Sequence, residues 1–285
     1  MPESQLTPRG YSPTILKRLV GEKLAAARKQ CGLTGKAVCE QLGWAAATLS
    51  GIERSTWVKP NSDMVADLCD VYGIEGQERE ALLDMTRNAR KRGWWRRHND
   101  IFVSDLPDFE SSASAIRNYE PQYIPGLLQT EHYIDLLLSV GGIADPDEIA
   151  RRTAPRIQRQ GILTRKEEPC FLHAVFEEGA LHQIADEEVR KEQVRHLIDM
   201  ARRPNVTIQI IPISAGLYDG AGEAFMYLSF PGDLYRDVVY LETRLDVRFL
   251  EEFDETEVYR LEFDKLCAVA LEPDATIAHL REQAE

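Results

Sequence analysis

The sequence predicts an α+β protein in two parts: an all-α N-terminal domain of short helices, followed by an α+β domain around a mostly antiparallel sheet. Three observations carry this. The length, 285 residues, suits two domains at the usual ~150 residues each. Apolar residues recur at helical spacing up to about His98, and beyond it helical stretches alternate with runs rich in β-branched and aromatic residues. Charge divides at the same place: residues 1–99 hold 16 Lys/Arg against 11 Asp/Glu, net +5, whereas residues 100–285 hold 18 against 36, net −18. These observations predict a flexible N-terminus over 1–14, a first domain over 15–98 and a second over 99–285.

In the first domain, Ile15, Leu16, Leu19, Val20, Leu24 and Ala27 mark one helical face, which Gly32 terminates. Thr34 can cap a second helix that runs through Val38 to Leu42 and stops at Gly43. A third covers about Ala45 to Arg54, a fourth Asp63 to Tyr72, and another starts at Gln77. Val38, Leu42, Trp44, Leu49 and Ile52 are the inward positions, Cys39 is small where two helices approach, and Gly43 turns the corner. Two helices crossing steeply over a short turn need those residue types, so this is helix-turn-helix spacing.

Arg28, Gly32-Leu33-Thr34, Val38-Cys39, Leu42-Gly43, Leu49-Ser50, Ile52-Glu53-Arg54 and Lys59-Pro60, with the helix Asp63 to Tyr72, resemble the helix-turn-helix regulators of the xenobiotic-response-element type. The resemblance implies a five-helix domain that binds double-stranded DNA, with Arg28 and Glu53 paired inside the fold. The candidate DNA-binding residues are Thr34, Lys36, Ala45, Ala46, Ala47, Thr48, Ser50, Arg54 and Lys59. Alanines cannot make the bidentate hydrogen bonds that read guanine or adenine, although their methyls can meet the thymine methyl. Binding therefore leans on phosphate contacts from Thr34, Lys36, Arg54 and Lys59, and a homodimer on paired half-sites is expected to supply specificity.

The segment RNARKRGWWRR, residues 87–97, gathers Lys and Arg around Trp94-Trp95. It reads either as a basic-aromatic strip on nucleic acid or as tryptophans packing the last helix while the charges stay in water. Packing is favoured, because duplex DNA leaves no free base faces to stack on.

Past this segment, Asn99 to Asp108 reads as a linker or docking loop, and Pro121 and Pro125-Gly126 enforce an extended turn. Helices are expected at about Gln129 to Val140, Asp147 to Leu163, Glu187 to Arg202 and Glu255 to Leu271, the last opened by a capping box Asp254-x-x-Glu257. Strands are expected at Cys170 to Phe176, Val206 to Ile211, Ala224 to Phe230, Asp237 to Glu242 and Val247 to Leu250. The last three are too closely spaced for helical crossovers, hence the antiparallel expectation.

Trp94-Trp95, Glu110, Tyr119-Glu120-Pro121, the segment Ile124 to Thr130 and Tyr133 resemble the domain that follows the helix-turn-helix in WhiJ-like actinobacterial regulators. Arg156 to Leu163, Glu178 to Leu181, Gln193 to Leu197, Pro204-Asn205-Val206, Gln209 to Pro212 and Tyr240-Leu241-Glu242 extend the match over almost the whole chain. This resemblance implies a small partner protein encoded nearby.

Other functions find less support. The five cysteines show no C-x-x-C spacing and the six histidines are dispersed, so neither a metal nor another cofactor is expected. The N-terminus lacks an apolar signal core and the apolar run Ile208 to Ile213 is too short to span a membrane, so a cytoplasmic, nucleoid-associated protein is expected. Gly216, Gly220 and Gly222 join two expected strands and open no helix, which reads as a hairpin or lid rather than a phosphate loop. Glu177-Glu178 and Glu242 are candidate acid–base carboxylates, with solvated acidic faces the favoured reading. The chain is accordingly expected not to be an enzyme. For the second domain two readings stay open: a small-molecule sensor whose pocket is lined by Tyr119, Tyr123, Phe176, Tyr218, Phe225, Tyr227 and Tyr240, or an acidic docking module for a basic partner. The whole chain then reads as a signal-controlled transcriptional regulator, with a scaffold that has lost operator reading as the alternative and an enzyme of unknown type third.

Overall fold

The computed structural model describes residues 11–91, 94–102, 104–232 and 235–284. Packing divides the chain into two compact units, Met1–Ser112 and Ala113–Glu285.

In the first unit, helix α1 (Pro13–Gln30) starts two residues before Ile15. Residues 1–10 of the expected flexible stretch lie outside the described residues, but Tyr11, Ser12 and Thr14 are buried. Ser12 caps the helix by accepting the Ile15 N–H, and Pro13 occupies a first-turn position where no N–H is needed. Helices α2 (Gly35–Leu42) and α3 (Ala46–Glu53) form the helix-turn-helix, followed by α4 (Ser62–Tyr72) and α5 (Gly76–Ala89). Thr34 caps α2 by accepting the Ala37 N–H at 3.2 Å, and Gly43 ends it at φ +68°. Ile15, Leu24, Val38, Ile52, Val65, Leu68 and Leu82 form the core.

The unit does not end at His98. Residues Trp94–His98 make a 3-10 turn, and α6 (Leu106–Ser112) packs against α1. Thr14 Oγ1 donates to Asp108 Oδ2 at 2.5 Å and the Ser12 N–H donates to Ser112 Oγ at 2.7 Å. Most of the expected linker is therefore part of the first unit. Its four carboxylates, Asp100, Asp105, Asp108 and Glu110, bring residues 1–112 to 16 Lys/Arg against 15 Asp/Glu, net +1.

The second unit is a six-stranded mixed sheet in the order β3-β2-β1-β4-β5-β6. Its strands are β1 (Ala115–Glu120), β2 (Phe171–Glu177), β3 (Val206–Ile211), β4 (Phe225–Ser229), β5 (Val238–Glu242) and β6 (Val247–Leu250). β1 pairs parallel with β2, as β2 does with β3; the other three pairings are antiparallel. Helices α7 (Glu131–Val140) and α8 (Pro146–Gln160) link β1 to β2, and α9 (Gly179–His182) and α10 (Glu187–Ala201) link β2 to β3. Helix α11 (Phe253–Val269) covers the face bearing Tyr119, Val175, Phe225, Tyr227, Val239 and Leu241, through Phe263 and Leu266. Helix α12 (Pro273–Ala284) packs on α10 and β3.

Several expectations change. The central strand β1 and helices α6 and α12 were not among the expected elements. The segment 212–224 is not a hairpin: it carries the chain from edge strand β3 past β2 and β1 to β4. The capping box does not form, because α11 begins at Phe253 after Glu252, which places Asp254 inside the first turn. No described helix is long and apolar enough to cross a membrane.

Candidate nucleic-acid interface and the second unit

The exposed surface of α2 and α3 is fixed from beneath. Arg28 Nε donates to Glu53 Oε1 at 2.6 Å and Nη2 to Oε2 at 2.9 Å, while Nη1 donates to the Leu33 carbonyl at 2.9 Å. This fork ties the end of α1 to the end of α3 and to the loop before α2. Gly21 on α1 is the second fixture: a Cβ there would stand 2.6 Å from the Ile52 carbonyl oxygen and 3.0 Å from that of Glu53. Ser55, at φ +61°, is the third, donating to the Lys17 carbonyl at 3.1 Å.

On that scaffold Thr34, Lys36, Ala45, Ala46, Ala47, Arg54 and Lys59 are exposed, and Thr48 and Ser50 are half-buried. Lys36 lies 3.7 Å from Glu40 in an exposed pair, which offsets part of its charge. Among the described residues Arg54 and Lys59 form no ion pair. The surface thus offers two free cations, a threonine hydroxyl at a helix N-terminus and a face of methyl groups. Such a set can grip phosphates and touch thymine methyls but has little means of reading guanine or adenine.

Residues 19–82 match the family described as a helix-turn-helix domain, the class that DNA-binding regulators use. Residues 103–282, more than half of the chain, match the Domain of unknown function (DUF5753). The chain belongs to the DUF5753 family. No curated protein and no solved structure matches it.

In the DUF5753 domain the seven aromatic candidates do not line one pocket. Tyr119, Phe225 and Tyr227 pack in the α11-side core with Tyr218 against them, whereas Phe176 and Tyr240, next to Val175 and Val239 on their strands, point to the opposite face. Tyr123 is 48% exposed. The Tyr119 and Tyr218 hydroxyls lie 2.9 Å apart and both donate to Glu177 Oε1, at 3.1 and 2.5 Å. Burial pushes the Tyr218 phenol up to about 12. These aromatics fill a core and fasten segment 212–224.

Of the three candidate acids, Glu177 and Glu178 differ from solvated faces. Glu178 is buried; its Oε2 accepts the Ile213 N–H at 2.8 Å, and its Oε1 lies 3.0 Å from His279 Nε2 and 3.4 Å from His182 Nε2. Burial raises its pKa, but the Ile213 N–H and the two imidazoles outweigh it and hold the carboxyl below the ordinary range. Glu177 accepts the two phenols. Glu242 is exposed and accepts the Tyr240 hydroxyl at 2.6 Å. Burial, helped by Glu242 and opposed by Asn118 and Arg159, pushes Glu120 up to about 7.

A Cys–His contact is present as well, with Cys267 Sγ 3.7 Å from His173 Nε2. That nitrogen also meets Gln209 Oε1 at 2.8 Å. Burial pushes the thiol up to about 11 and the imidazole down, the reverse of an activated nucleophile pair. Among the described residues no group of three metal-binding side chains gathers.

The segment Ile124 to Thr130 is pinned from several sides. Buried Gln193 accepts the Thr130 N–H at 2.8 Å and donates to the Leu128 carbonyl at 2.7 Å. Gln129 donates to the Ile124 carbonyl at 2.7 Å, and Gln160 to the Gly126 and Gln129 carbonyls at 3.2 and 2.8 Å. Gly126 makes room for a neighbour, since a Cβ there would overlap the guanidinium of Arg159. Sequence reasoning noted these residues as matching segments but did not assign them to one another. Gly21, which lets α1 approach the end of α3, and Glu120, a half-buried acid at the end of β1, carry only weak local signals in the sequence, a glycine inside a strong helical period and an acid ending a strand.

Proposed function

We propose that the chain is a transcriptional regulator of the xenobiotic-response-element type, within the WhiJ-like group. It grips operator DNA through α2, α3 and the loop to Lys59, and its DUF5753 domain receives a small-molecule or small-protein signal that changes DNA affinity. The observation that carries this reading is the exposed α2–α3 surface with Arg54 and Lys59 unpaired, fixed by the Arg28–Glu53 fork. The methyl-lined α3 face supports weak base reading by one protomer, so a homodimer on paired half-sites supplies the rest. Control by a signal requires that the signal bind DNA-competent and incompetent states unequally.

The test is a titration of the full chain against its own promoter region and a scrambled duplex at two salt concentrations, with and without the adjacent small protein. Promoter preference that survives the higher salt and shifts with the partner supports the regulator. Equal binding that salt abolishes favours the alternative, a regulatory scaffold without operator reading. That alternative draws its support from Ala45, Ala46 and Ala47, which expose no hydrogen-bonding side chain.

A further inference from the structure

The basic segment after α5 lies outside α2 and α3. Arg90 and Lys91 close α5, and Arg96 and Arg97 stand on the turn Trp94–His98; all four are exposed. Among the described residues none of the four forms an ion pair or a side-chain hydrogen bond. Elsewhere in the first unit Arg28, Lys36, Arg79 and Arg87 are paired with Glu53, Glu40, Asp70 and Asp84. Acids spent in those pairs do not offset the segment, so the small net charge of the unit hides a local excess. The C-terminal dipole of α5 favours Arg90 and Lys91 where they are. Arg96 and Arg97 have no such helix end beside them; the Arg96 guanidinium lies 5.2 Å from the Trp95 ring centroid, a contact that steadies it and leaves its N–H donors open.

Packing brings this turn to the exit of α3. Ser55, next to Arg54, donates to the Lys17 carbonyl on α1 at 3.1 Å. Thr14, about 4.5 Å earlier along that helix, donates to Asp108, and the Arg18 guanidinium lies 4.8 Å over the Phe109 ring. The end of α3 and helix α6 are thus seated on the same stretch of α1. Arg96 reaches it too: burial first, and then the charge of Arg96, pulls the Lys17 ammonium below its ordinary range against Asp105 and Asp108. Asp108 is buried and already accepts from Thr14. Among the described residues Arg54, Lys17 and Arg96 form no ion pair, so cations continue from the end of α3 past α1 to the turn.

Such a run of unpaired cations displaces counterions from a phosphate backbone. Single strands are held by aromatic faces as well as by charge, and Trp95, 5% exposed, is closed to bases.

We propose that Arg96 and Arg97, with Arg90 and Lys91 beside them, are a second phosphate-gripping site that extends the contact with duplex DNA beyond the helix-turn-helix. The site deepens the reading of the chain as a DNA-binding regulator and rests on it.

The experiment is fluorescence anisotropy of the full chain on scrambled duplex over a series of salt concentrations. Arg96→Gln with Arg97→Gln is expected to weaken binding and to lower the slope of log affinity against log salt by about 2, whereas Arg281→Gln, in the second unit, leaves both unchanged. A second arm, Arg54→Gln with Lys59→Gln, separates the two readings. A slope lowered in that arm but unchanged by Arg96→Gln with Arg97→Gln overturns the site and leaves the regulator standing; no binding of duplex by the unaltered chain at low salt overturns both. Phenylglyoxal modification of the unaltered chain, followed by peptide mass spectrometry, keeps the test independent of how the variants fold. Duplex is expected to slow reaction at Arg96 and Arg97 several-fold while exposed Arg281 reacts as before. Equal rates with and without duplex, or protection by single-stranded DNA alone, overturn the site.

Discussion

Glu120 and Glu178 are two carboxylates of one domain with opposite pH behaviour. Glu120 has a native pKa of about 7, above the ordinary carboxylate value. The stability linked to it is fully present below that ordinary value and is lost as pH rises through 7. Unfolding in urea should therefore show the second unit losing on the order of 2 kcal/mol between pH 5 and pH 8, and Glu120→Gln should flatten that slope. Glu178, lowered, contributes stability that is present above the ordinary range and lost as pH falls below it. In the first unit, Glu53→Ala leaves the half-buried Arg28 fork without its carboxylate and should cost about 2 kcal/mol by the same measurement. Arg28→Lys should lose part of this too, because an ammonium cannot form both bonds. The Arg28–Glu53 pair was legible through resemblance. The buried state of Glu178 was not, since its three partners lie on α9, on α12 and after β3, and no local pattern joins them.

At the scale of elements, the close approach of α1 to the end of α3 depends on Gly21. Gly21→Ala puts a methyl against two backbone carbonyls, which cannot move aside as a flexible side chain can. It should destabilise the unit by about 1–3 kcal/mol, read from the urea midpoint, and weaken DNA binding more than its stability loss explains, because it tilts α3. A variant with wild-type midpoint and wild-type affinity would remove this account of how α3 is positioned. The helices of the helix-turn-helix were legible because caps, glycine stops and apolar spacing agree locally. Strand β1 was not: Arg117, Asn118 and Glu120 hide its alternation. Its buried Asn118 is tolerated because its amide donates to the Phe225 and Tyr119 carbonyls at 3.2 and 3.3 Å. Helix α6 was concealed by Ser, Asp and Pro, residues that ordinarily mark a loop.

At the scale of the whole molecule, charge decides how the chain meets nucleic acid. The sequence count of +5 for residues 1–99 falls to +1 when the unit is taken to Ser112. Fluorescence anisotropy on scrambled duplex should therefore give affinity at the weak end of the usual nonspecific range of about 10⁻⁴–10⁻⁶ M at physiological salt. Arg54→Gln and Lys59→Gln should each lower the slope of log affinity against log salt by about 1, with a smaller change for Lys36→Gln because Glu40 already shares its charge. An unchanged slope in the first two would move the phosphate contacts elsewhere. The two-part architecture was legible from periodicity and charge together, but its boundary was not, because the segment that completes the first unit has the composition of the second.

The position of β1 sets a constraint on how the sheet is made. One neighbour, β2, follows it in the chain before the last parallel strand, but the other, β4, is reached only after β3 and segment 212–224. A nascent chain that has emerged as far as Ile211 can assemble β1, β2 and β3, yet it leaves one edge of the central strand with its N–H and C=O groups bare. Such an edge recruits strands from other molecules. The vulnerable period in the life of this protein is thus the interval of synthesis between Ile211 and Glu242, because β4 closes β1 but leaves its own other edge bare until β5 pairs with it, and a chain truncated there should aggregate where the full chain stays dispersed.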